Sequence, residues 1–365
     1  MEHTLLKEIN KKTMGTYLDE KDYGNELLFL NFFPFKNTPF LSFETLIGSQ
    51  GNPVAADIVT YDASAPLKTR RTVSKLSGDI PPTRIKKKMS EIDLNTYNIL
   101  KAQADNDSTK LLDFVFGDID ACVEGCLARL EWVGLQALSQ GYVTLTKANN
   151  AGVITADNID FQMLASHKRV CKTATSTRIW SNATAGNPKP ITDIEVIQDL
   201  AIEQGRKLEY VLMGRSKWQE FRKTTEVIQA CKGTSTAVVK PTLAEANDFM
   251  TAQGLPRIVI IDSYVDIEDP DHTITSVNCW VQKYILFVPF LKLGETLSGP
   301  IAAETNPPKQ AVMAKKDQIL VQKYSTDDPV NEFTVGLINA FPSWPTIDRC
   351  YRFDTLLYAA DGLDD

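Results

Sequence analysis

The chain has 365 residues, of which 43% are hydrophobic and 23% are charged, and this is the composition of an ordinary globular protein. Intrinsic disorder and fibrous structure are therefore excluded for the chain as a whole. The 39 Lys and Arg against 46 Asp and Glu give a net charge of −7, which argues against a protein that coats nucleic acid.

The start of the chain, from Met1 to Leu30, is polar with spaced Leu and Tyr, and this pattern predicts an arm that lies on another surface. The arm ends in a dense apolar cluster, whose main members are Leu27, Phe29, Phe32, Phe33 and Phe35. Such a cluster needs a cover, since an exposed apolar patch of this size promotes aggregation. Residues 38–48 then alternate apolar and polar side chains, which predicts a strand that runs into a turn-rich loop.

Residues 68–88 carry the most uneven charge of the sequence, with eight cations and one acid, Asp79. The cations are Lys68, Arg70, Arg71, Lys75, Arg84, Lys86, Lys87 and Lys88. The turn residues Ser77-Gly78-Asp79 and Pro81-Pro82 predict a long two-stranded hairpin with a mobile tip. A solvated basic loop is the alternative. A charged hairpin is also suited to reach a neighbouring acidic subunit.

Residues 112–140 show the clearest secondary structure, because apolar side chains recur at steps of three and four. This spacing predicts one long amphipathic helix that ends at Gln140-Gly141. Cys122 and Cys126 lie on one face of it, and without further ligands nearby they indicate core packing, not a metal site.

The chain after Gly141 is mixed, and its order of helix, strand, helix and strand predicts a compact α/β unit. Capping-box patterns at Thr192 and Ser216 predict the starts of the two helices, and Gly205 and Gly233 predict their ends. Three β-rich stretches follow the unit. The expected strands and stretches are residues 208–213, 257–262, 275–290, 318–324 and 333–341.

No motif in the sequence combines residues into a catalytic site. The three histidines, His3, His167 and His272, lie outside zinc-protease and triad patterns, and no phosphate-binding loop is present. The acidic residues 266–271 lack the glycine and the terminal glutamate of an EF-hand and indicate a turn. This absence favours a structural protein without a cofactor over an enzyme. The six scattered cysteines favour reduced thiols, and no apolar run reaches the roughly 20 residues of a membrane span.

The C-terminal region resembles the signature of the lambda-type major capsid protein family of tailed bacteriophages. The matching residues are Asp328, Pro329, Glu332, Phe333, Thr334 and Pro342. Further similarities follow in the order that the family has: an arm that leads into Phe32-Phe33-Pro34-Phe35, a basic segment, the long helix, and Trp180-Ser181 before the α/β unit. Loop lengths at 141–180 and 233–255 depart from the family pattern.

This resemblance implies an α+β protein with the Hong Kong 97-like major capsid protein fold. The implied divisions are an N-terminal arm (1–37), a first strand (38–56), an extended basic hairpin loop (57–90), a peripheral domain (91–185) with its spine helix (112–140), an axial domain (186–315) and C-terminal strands (316–365). It also implies contacts between subunits through the hairpin cations and the apolar arm residues named above.

The implied function is structural: copies form hexamers and pentamers of an icosahedral head that encloses double-stranded DNA without sequence-specific binding. The expected partners are further copies, a separate scaffolding protein, a portal and a decoration protein, with assembly in the host cytoplasm and the mature product in the virion. Two alternatives stay open. An encapsulin-like compartment would carry cargo in place of DNA, and a soluble α/β enzyme would remain a monomer or small oligomer.

Overall fold

The computed structural model describes most of the chain, and the structural statements below concern these residues. They are residues 4–6, 9–24, 27–47, 56, 58, 74–103, 108–152, 157–173, 176–181, 188–233, 239–308 and 311–364.

The helices range from single turns to one long rod, α4. They are α1 (Lys11–Glu20), α2 (Phe29–Phe32), α3 (Glu91–Gln103), α4 (Ser108–Gln140), α5 (Pro190–Glu203), α6 (Arg215–Phe221), α7 (Thr225–Lys232), α8 (Leu243–Ala252) and α9 (Ala302–Thr305).

The strands are mostly short, and the longest of them, β16, lies near the C-terminus. They are β1 (Phe35–Asn37), β2 (Ser42–Ile47), β3 (Ser74–Asp79), β4 (Pro82–Met89), β5 (Tyr142–Leu145), β6 (Asp157–Asp160), β7 (Lys168–Lys172), β8 (Tyr210–Gly214), β9 (Arg257–Ile261), β10 (Tyr264–Glu268), β11 (Ile274–Asn278), β12 (Tyr284–Val288), β13 (Glu295–Ser298), β14 (Val312–Lys316), β15 (Ile319–Asp327), β16 (Val330–Ser343) and β17 (Tyr351–Ala359).

The first sheet is organised around β16, which pairs with three other strands. Its first half pairs with β15 on one side and with β4 on the other, and its last residues pair with β13. Along most of β16 the side chains alternate between buried and half-exposed, so one face is covered and the other meets solvent. The covered face packs on α4.

The second sheet has the strand order β7-β17-β12-β8-β9. β8 and β9 are parallel, and α8 lies in the crossover between them, as the α/β pattern predicts. Helices α5, α6, α7 and α8 contribute to the core on one side of this sheet. The prediction of a helix–strand–helix–strand unit is confirmed, although the sequence pattern missed α8.

Helix α4 confirms the predicted long helix, which starts at Ser108 instead of Leu112 and ends at Gln140 as predicted. Gly141 follows with φ of +82° and its N–H bonds to Ala137 O at 2.8 Å. Cys122 and Cys126 are fully buried against the first sheet, in agreement with core packing. Gly336 of β16 lets this helix approach, because a Cβ there would lie 2.7 Å from Cys122 O.

The predicted hairpin within residues 57–90 is wrong in its pairing. β3 pairs with β2, and β4 pairs with β16, so the two strands do not form a hairpin with each other. Gly78 belongs to the β2–β3 ladder and makes room for the Phe43 ring, which lies 3.0 Å from an ideal Cβ. Pro81 then separates the two ladders, since proline has no N–H to donate, and Pro82 begins β4. The two paired strands of the extended hairpin are therefore β2 and β3, and the hairpin spans residues 42–79.

The expected helix starts at Thr192 and Ser216 are also wrong. α5 begins at Pro190, whose fixed φ suits the first helical position, and the Thr192 hydroxyl donates to Glu226 at 2.6 Å. α6 begins after Gly214, and the Ser216 hydroxyl donates to Gln282 Oε1 at 2.6 Å. Both hydroxyls therefore have tertiary partners in place of the predicted caps. The second helix is also divided, as α6 and α7.

Candidate functional site

The cationic residues of the basic segment divide between two places. Lys68, Arg70 and Arg71 lie outside the described residues, and Lys75 is on β3 with its side chain outside them too. Arg84, Lys86, Lys87 and Lys88 lie on β4, within the first sheet, and their placement in a hairpin loop is wrong. All four of the β4 cations are exposed. We call these four residues the basic strand face.

Strand β4 lies at the edge of its part of the sheet, because within the described chain it pairs only with β16. Lys86 Nζ lies over the Phe333 ring at 3.8 Å from its centroid, and Tyr324 is the next ring beside it. The described residues offer the four cations no salt-bridge partner. Lysines on an edge strand prevent unspecific strand pairing, and they also present charge to an acidic partner.

The apolar arm residues lie against this chain's own core. Phe29, Phe32 and Phe33 are at most 3% exposed, whereas Leu27 and Phe35 are half-buried. The implied contact between subunits is therefore wrong for Phe29, Phe32 and Phe33, because their own chain already covers them. The signal that could have predicted it is Gly134 of α4, which lets Phe29 approach to 3.1 Å from an ideal Cβ.

A buried carboxylate on α4 binds the main chain at the start of the apolar arm cluster. Glu131 is 2% exposed and accepts hydrogen bonds from the main-chain N–H groups of Leu28 at 3.3 Å and Phe29 at 2.9 Å. These N–H groups are free to bind it because they lie at the start of α2, where a helix has no internal acceptors. Burial raises the pKa of Glu131, and the two N–H donors offset part of that rise.

A second carboxylate of α4 binds the residues that precede the apolar cluster. Asp120 accepts from Tyr17 Oη, Lys21 Nζ and Tyr23 Oη, each at 2.6 Å. Burial raises the pKa of Tyr23, and the neighbouring Asp120 carboxylate raises it further. The apolar side of α1 adds Met14 and Leu18, both fully buried. The N-terminal segment is thus an integral part of the first core.

The C-terminal signature residues place a buried polar group at the start of β16. Glu332 and Lys323 are both nearly inaccessible, and their charged atoms are 3.7 Å apart. Lys323 Nζ also donates to Thr334 Oγ1 at 3.3 Å, and Glu332 Oε2 accepts from Leu5 N at 3.0 Å. Burial raises the pKa of Glu332 and lowers that of Lys323, while each charge counteracts the effect of burial on the other.

The other signature residues surround this pair. Asp328 and Pro329 form the turn between β15 and β16, Phe333 lies on the outer face beneath Lys86, and Pro342 pairs with Thr296 of β13. The signature therefore joins the N-terminal segment to the central strand of the first sheet. It is an element of structure.

Two further observations limit the chemistry of the described residues. No cluster of three or more His, Cys, Asp or Glu in them is arranged as a metal site. None of the helices in this part of the chain has both the length and the apolar character that a membrane span requires.

Solved structures with the same fold include capsid proteins and phage proteins. One is described as a capsid protein of a prophage of E. coli CFT073: it shares 15% identity over 95% of this chain and 99% of that chain, with a TM-score of 0.59. The capsid of cyanophage A-1(L) shares 12% sequence identity over 91% of this chain and 94% of that chain, with a TM-score of 0.51. A phage-related protein of Bordetella bronchiseptica RB50 shares 11% sequence identity over 96% of this chain and 99% of that chain, with a TM-score of 0.50.

These similarities confirm the predicted Hong Kong 97-like α+β fold. No curated protein sequence is significantly similar to the chain. The family described as phage major capsid protein E matches residues 23–355, and the chain belongs to this family. It is a structural protein of the capsid shell, with no enzymatic role, and it forms part of the virion. Shell formation requires that its copies associate with one another.

Proposed function

We propose that copies of this chain assemble in the host cytoplasm into hexamers and pentamers of an icosahedral head that encloses double-stranded DNA. The observation that carries the proposal is the basic strand face: four exposed cations follow one edge strand, with Arg84, Lys86 and Lys88 on one side and Lys87 on the other, in a chain whose net charge is −7. Contacts between unlike surfaces of identical copies close into rings when the rotation per contact closes. Opposite charge on the two surfaces sets the register of such a contact.

The assignment of regions follows the same proposal. The first sheet with α4 forms the peripheral domain, the second sheet forms the axial domain, and residues 42–79 form the extended hairpin that reaches a neighbour through Lys68, Arg70, Arg71 and Lys75. For the arm we propose a narrower role, because only Leu27 and Phe35 of its apolar cluster remain partly accessible. A separate scaffolding protein, a portal and a decoration protein are the further partners.

The negative charge of the chain suits a DNA container. A wall that bound the genome tightly would resist packaging and ejection, whereas net repulsion leaves the DNA free to move. Assembled shells are therefore expected to have no strong affinity for double-stranded DNA at physiological salt. Tight binding in a filter or co-sedimentation assay would contradict this part of the proposal.

The experiment is assembly of the purified protein, alone and with a co-expressed scaffolding protein, followed by light scattering and electron microscopy. The test variant changes Arg84, Lys86, Lys87 and Lys88 to Glu. The control variant makes the same change of charge at four exposed lysines elsewhere, which are Lys11, Lys12, Lys207 and Lys223.

Both variants are expected to fold, because all eight side chains are exposed, and circular dichroism checks this. The β4 variant should give no shells, and the control variant should give normal shells. Normal shells from the β4 variant would remove the basic strand face from assembly. A wild-type protein that stays a monomer under every condition would contradict the proposed function itself.

A further inference from the structure

Three cationic side chains surround a small cavity beside the second sheet. Arg169 and Lys172 lie on β7, and Arg178 lies in the short 3-10 turn that follows this strand. The cavity has a volume of about 70 Å³, which is room for a few water molecules or one small polyatomic ion. Among the described residues that line it, Asp193 is the single acid, and Gly362 contributes main chain. We call this space the cationic cavity.

The C-terminal residues hold one wall of the cationic cavity against β7. Arg169 and Leu363 form an antiparallel bridge, and Val170 N donates to Gly362 O at 3.1 Å. Gly362 has a φ of +74°, and an ideal Cβ on it would lie 3.1 Å from the Cβ of Lys172. The main chain therefore passes close to the stem of Lys172, and the cations of β7 are positioned by strand pairing on both sides.

Two of the three cations have no ion-pair partner in the part of the chain that the structure describes. No acid there lies within 4 Å of the charged nitrogens of Arg169 or Lys172. Burial lowers the pKa of Arg169, and the more distant charge of Asp361 counteracts part of this lowering. A half-buried cation without a counter-ion costs free energy, because it loses hydration and gains no compensating partner.

The third cation keeps a buried donor without an acceptor. Arg178 Nη2 donates to Asp193 Oδ1 at 2.8 Å, and Trp180 Nε1 donates to Asp193 Oδ2 at 3.0 Å. Asp193 therefore orients Arg178, and both of its oxygens are engaged. Arg178 Nε is buried and has no acceptor within the described residues. Buried donors of this kind are uncommon and costly.

The chemistry of this lining is that of an anion site. Three cations and one acid give it a net charge of +2, in a chain whose net charge is −7. Guanidinium and ammonium groups bind oxyanions through short, charge-assisted hydrogen bonds, and arginine suits the planar and tetrahedral oxygen arrangements of carboxylate and phosphate. An oxyanion in the cavity would supply the missing acceptors and the missing negative charge at once.

We propose that the cationic cavity binds one compact free oxyanion, such as inorganic phosphate or sulfate, through Arg169, Lys172 and Arg178. A phosphodiester of DNA offers the same oxygens, but its two sugars would have to enter as well, and a volume of about 70 Å³ has no room for them. The cavity lies within one subunit, so this inference goes beyond the proposed function and does not depend on shell assembly. The bound ion would link β7 to the turn that carries Arg178 and would stabilise the second sheet.

The test is equilibrium dialysis of the unassembled full-length subunit against radiolabelled inorganic phosphate at pH 7.5 and constant ionic strength. Wild type should bind one phosphate per chain with a dissociation constant of about 0.5 mM. Lys172→Gln should weaken binding about tenfold, because it removes one charged donor, whereas Lys172→Arg keeps the charge and should bind nearly as wild type does. Arg169→Gln should weaken binding to a similar extent.

The matched control is Lys168→Gln. Lys168 lies on the same strand as Lys172 and does not line the cationic cavity, so its phosphate binding should equal that of wild type. Neither lysine has an ion-pair partner among the described residues, so both variants should fold, and circular dichroism checks this.

Thermal unfolding gives a second measurement. Phosphate is compared with chloride at equal ionic strength, and the difference between wild type and Lys172→Gln removes the general effect of phosphate on protein stability. Phosphate at about 20 mM should raise the melting temperature of wild type by about 1–2 °C more than that of Lys172→Gln.

Three results would overturn the inference. Wild type and Lys172→Gln that bind phosphate equally would exclude the cationic cavity as the site. No saturable binding below about 10 mM phosphate would exclude an anion site of any use. Displacement of bound phosphate by a short DNA duplex, but not by sulfate, would replace the free oxyanion with the DNA backbone as the ligand. Competition by sulfate and none by the duplex is the result expected.

Discussion

Acid should destabilise the second sheet through His167, which is 2% exposed and directly precedes β7. Its Nδ1 lies 3.1 Å from Cys350 O, and its ring stacks on Tyr351 with the centroids 4.3 Å apart. Burial lowers the pKa of His167 from 6.5 to about 4, and the positive charge of Arg206 contributes to this lowering. The folded state therefore holds the neutral imidazole and resists its protonation.

The sign and size of the effect follow from this pKa. A lowered histidine pKa gives stability that is complete above pH 6.5 and is lost as the pH falls toward 4. At one pKa unit per about 1.4 kcal/mol, the full effect is about 3 kcal/mol. At pH 4.5 wild type should have lost about 2.5 kcal/mol of its free energy of unfolding through this residue alone.

The assay is urea unfolding of the unassembled subunit between pH 7 and pH 4.5, with wild type compared with His167→Gln. The variant should be much less sensitive to acid. His272→Gln is the control, because His272 is exposed in the β10–β11 turn next to Glu268, which raises its pKa. That variant should lose stability with acid as wild type does. Parallel pH profiles for wild type and His167→Gln would refute the reasoning.

Three other substitutions test the cores. Burial raises the pKa of Asp193 to about 6, so protonation of this carboxylate below pH 6 stabilises the folded state. Wild type should gain about 2 kcal/mol through this residue between pH 7 and pH 4.5, and Asp193→Asn should not. Equal pH profiles of variant and wild type in thermal unfolding would contradict this. Gly336→Ala places a methyl group 2.7 Å from a main-chain carbonyl of α4 and should cost about 1–3 kcal/mol in urea unfolding. Gly15→Ala, with open space around it, is its control and should be neutral or stabilising. Glu332→Gln leaves Lys323 buried without its anion and should lower the free energy of unfolding by about 3 kcal/mol, measured by calorimetry. Adding Lys323→Met to the same chain should recover part of that loss. A double variant that recovers none of it would argue against a stabilising Lys323–Glu332 pair.

Local patterns in the sequence predicted the elements that depend on local rules. The spacing of apolar residues located α4 to within about one turn, and Gly141 marked its end because the next φ must be positive. The strands β8 and β9 were also readable from buried runs. The turn predicted at residues 266–271 is only partly correct, because residues 266–268 belong to β10 and the turn begins at Asp269. These features depend on neighbours within a few positions.

The pairing of β4 could not be read in this way. Its partner β16 lies near the opposite end of the chain, and no local signal connects Lys88 with Phe333. The turn residues around Gly78 instead suggested a hairpin. In the structure, this glycine makes room for the ring of Phe43. A cavity between β4, β10 and α4 was hidden for the same reason, since it exists only once distant strands have been brought together.

The arm shows a different limit of sequence reasoning. Its apolar residues correctly indicated that a cover is required, but composition does not say which chain provides it. The same chain provides it: α4 covers Phe29 through Glu131 and Gly134, and Trp344 packs on Phe33. A carboxylate within an apolar helix face is a weak signal by itself, because a buried acid needs donors that the sequence does not locate.

The positions of β16 and β17 determine when a newly made subunit is complete. β16 is the shared central strand of the first sheet, and β17 lies between β7 and β12 in the second, so residues 330–359 supply an inner strand to both. Before they leave the ribosome, β4 and β12 each lack a neighbour, and Leu5 lacks the carboxylate of Glu332. Both cores therefore close only after residues 330–359 have been made. A nascent chain that lacks them cannot present finished surfaces to a growing shell, so the order of strands along the chain delays assembly until both inner strands are in place.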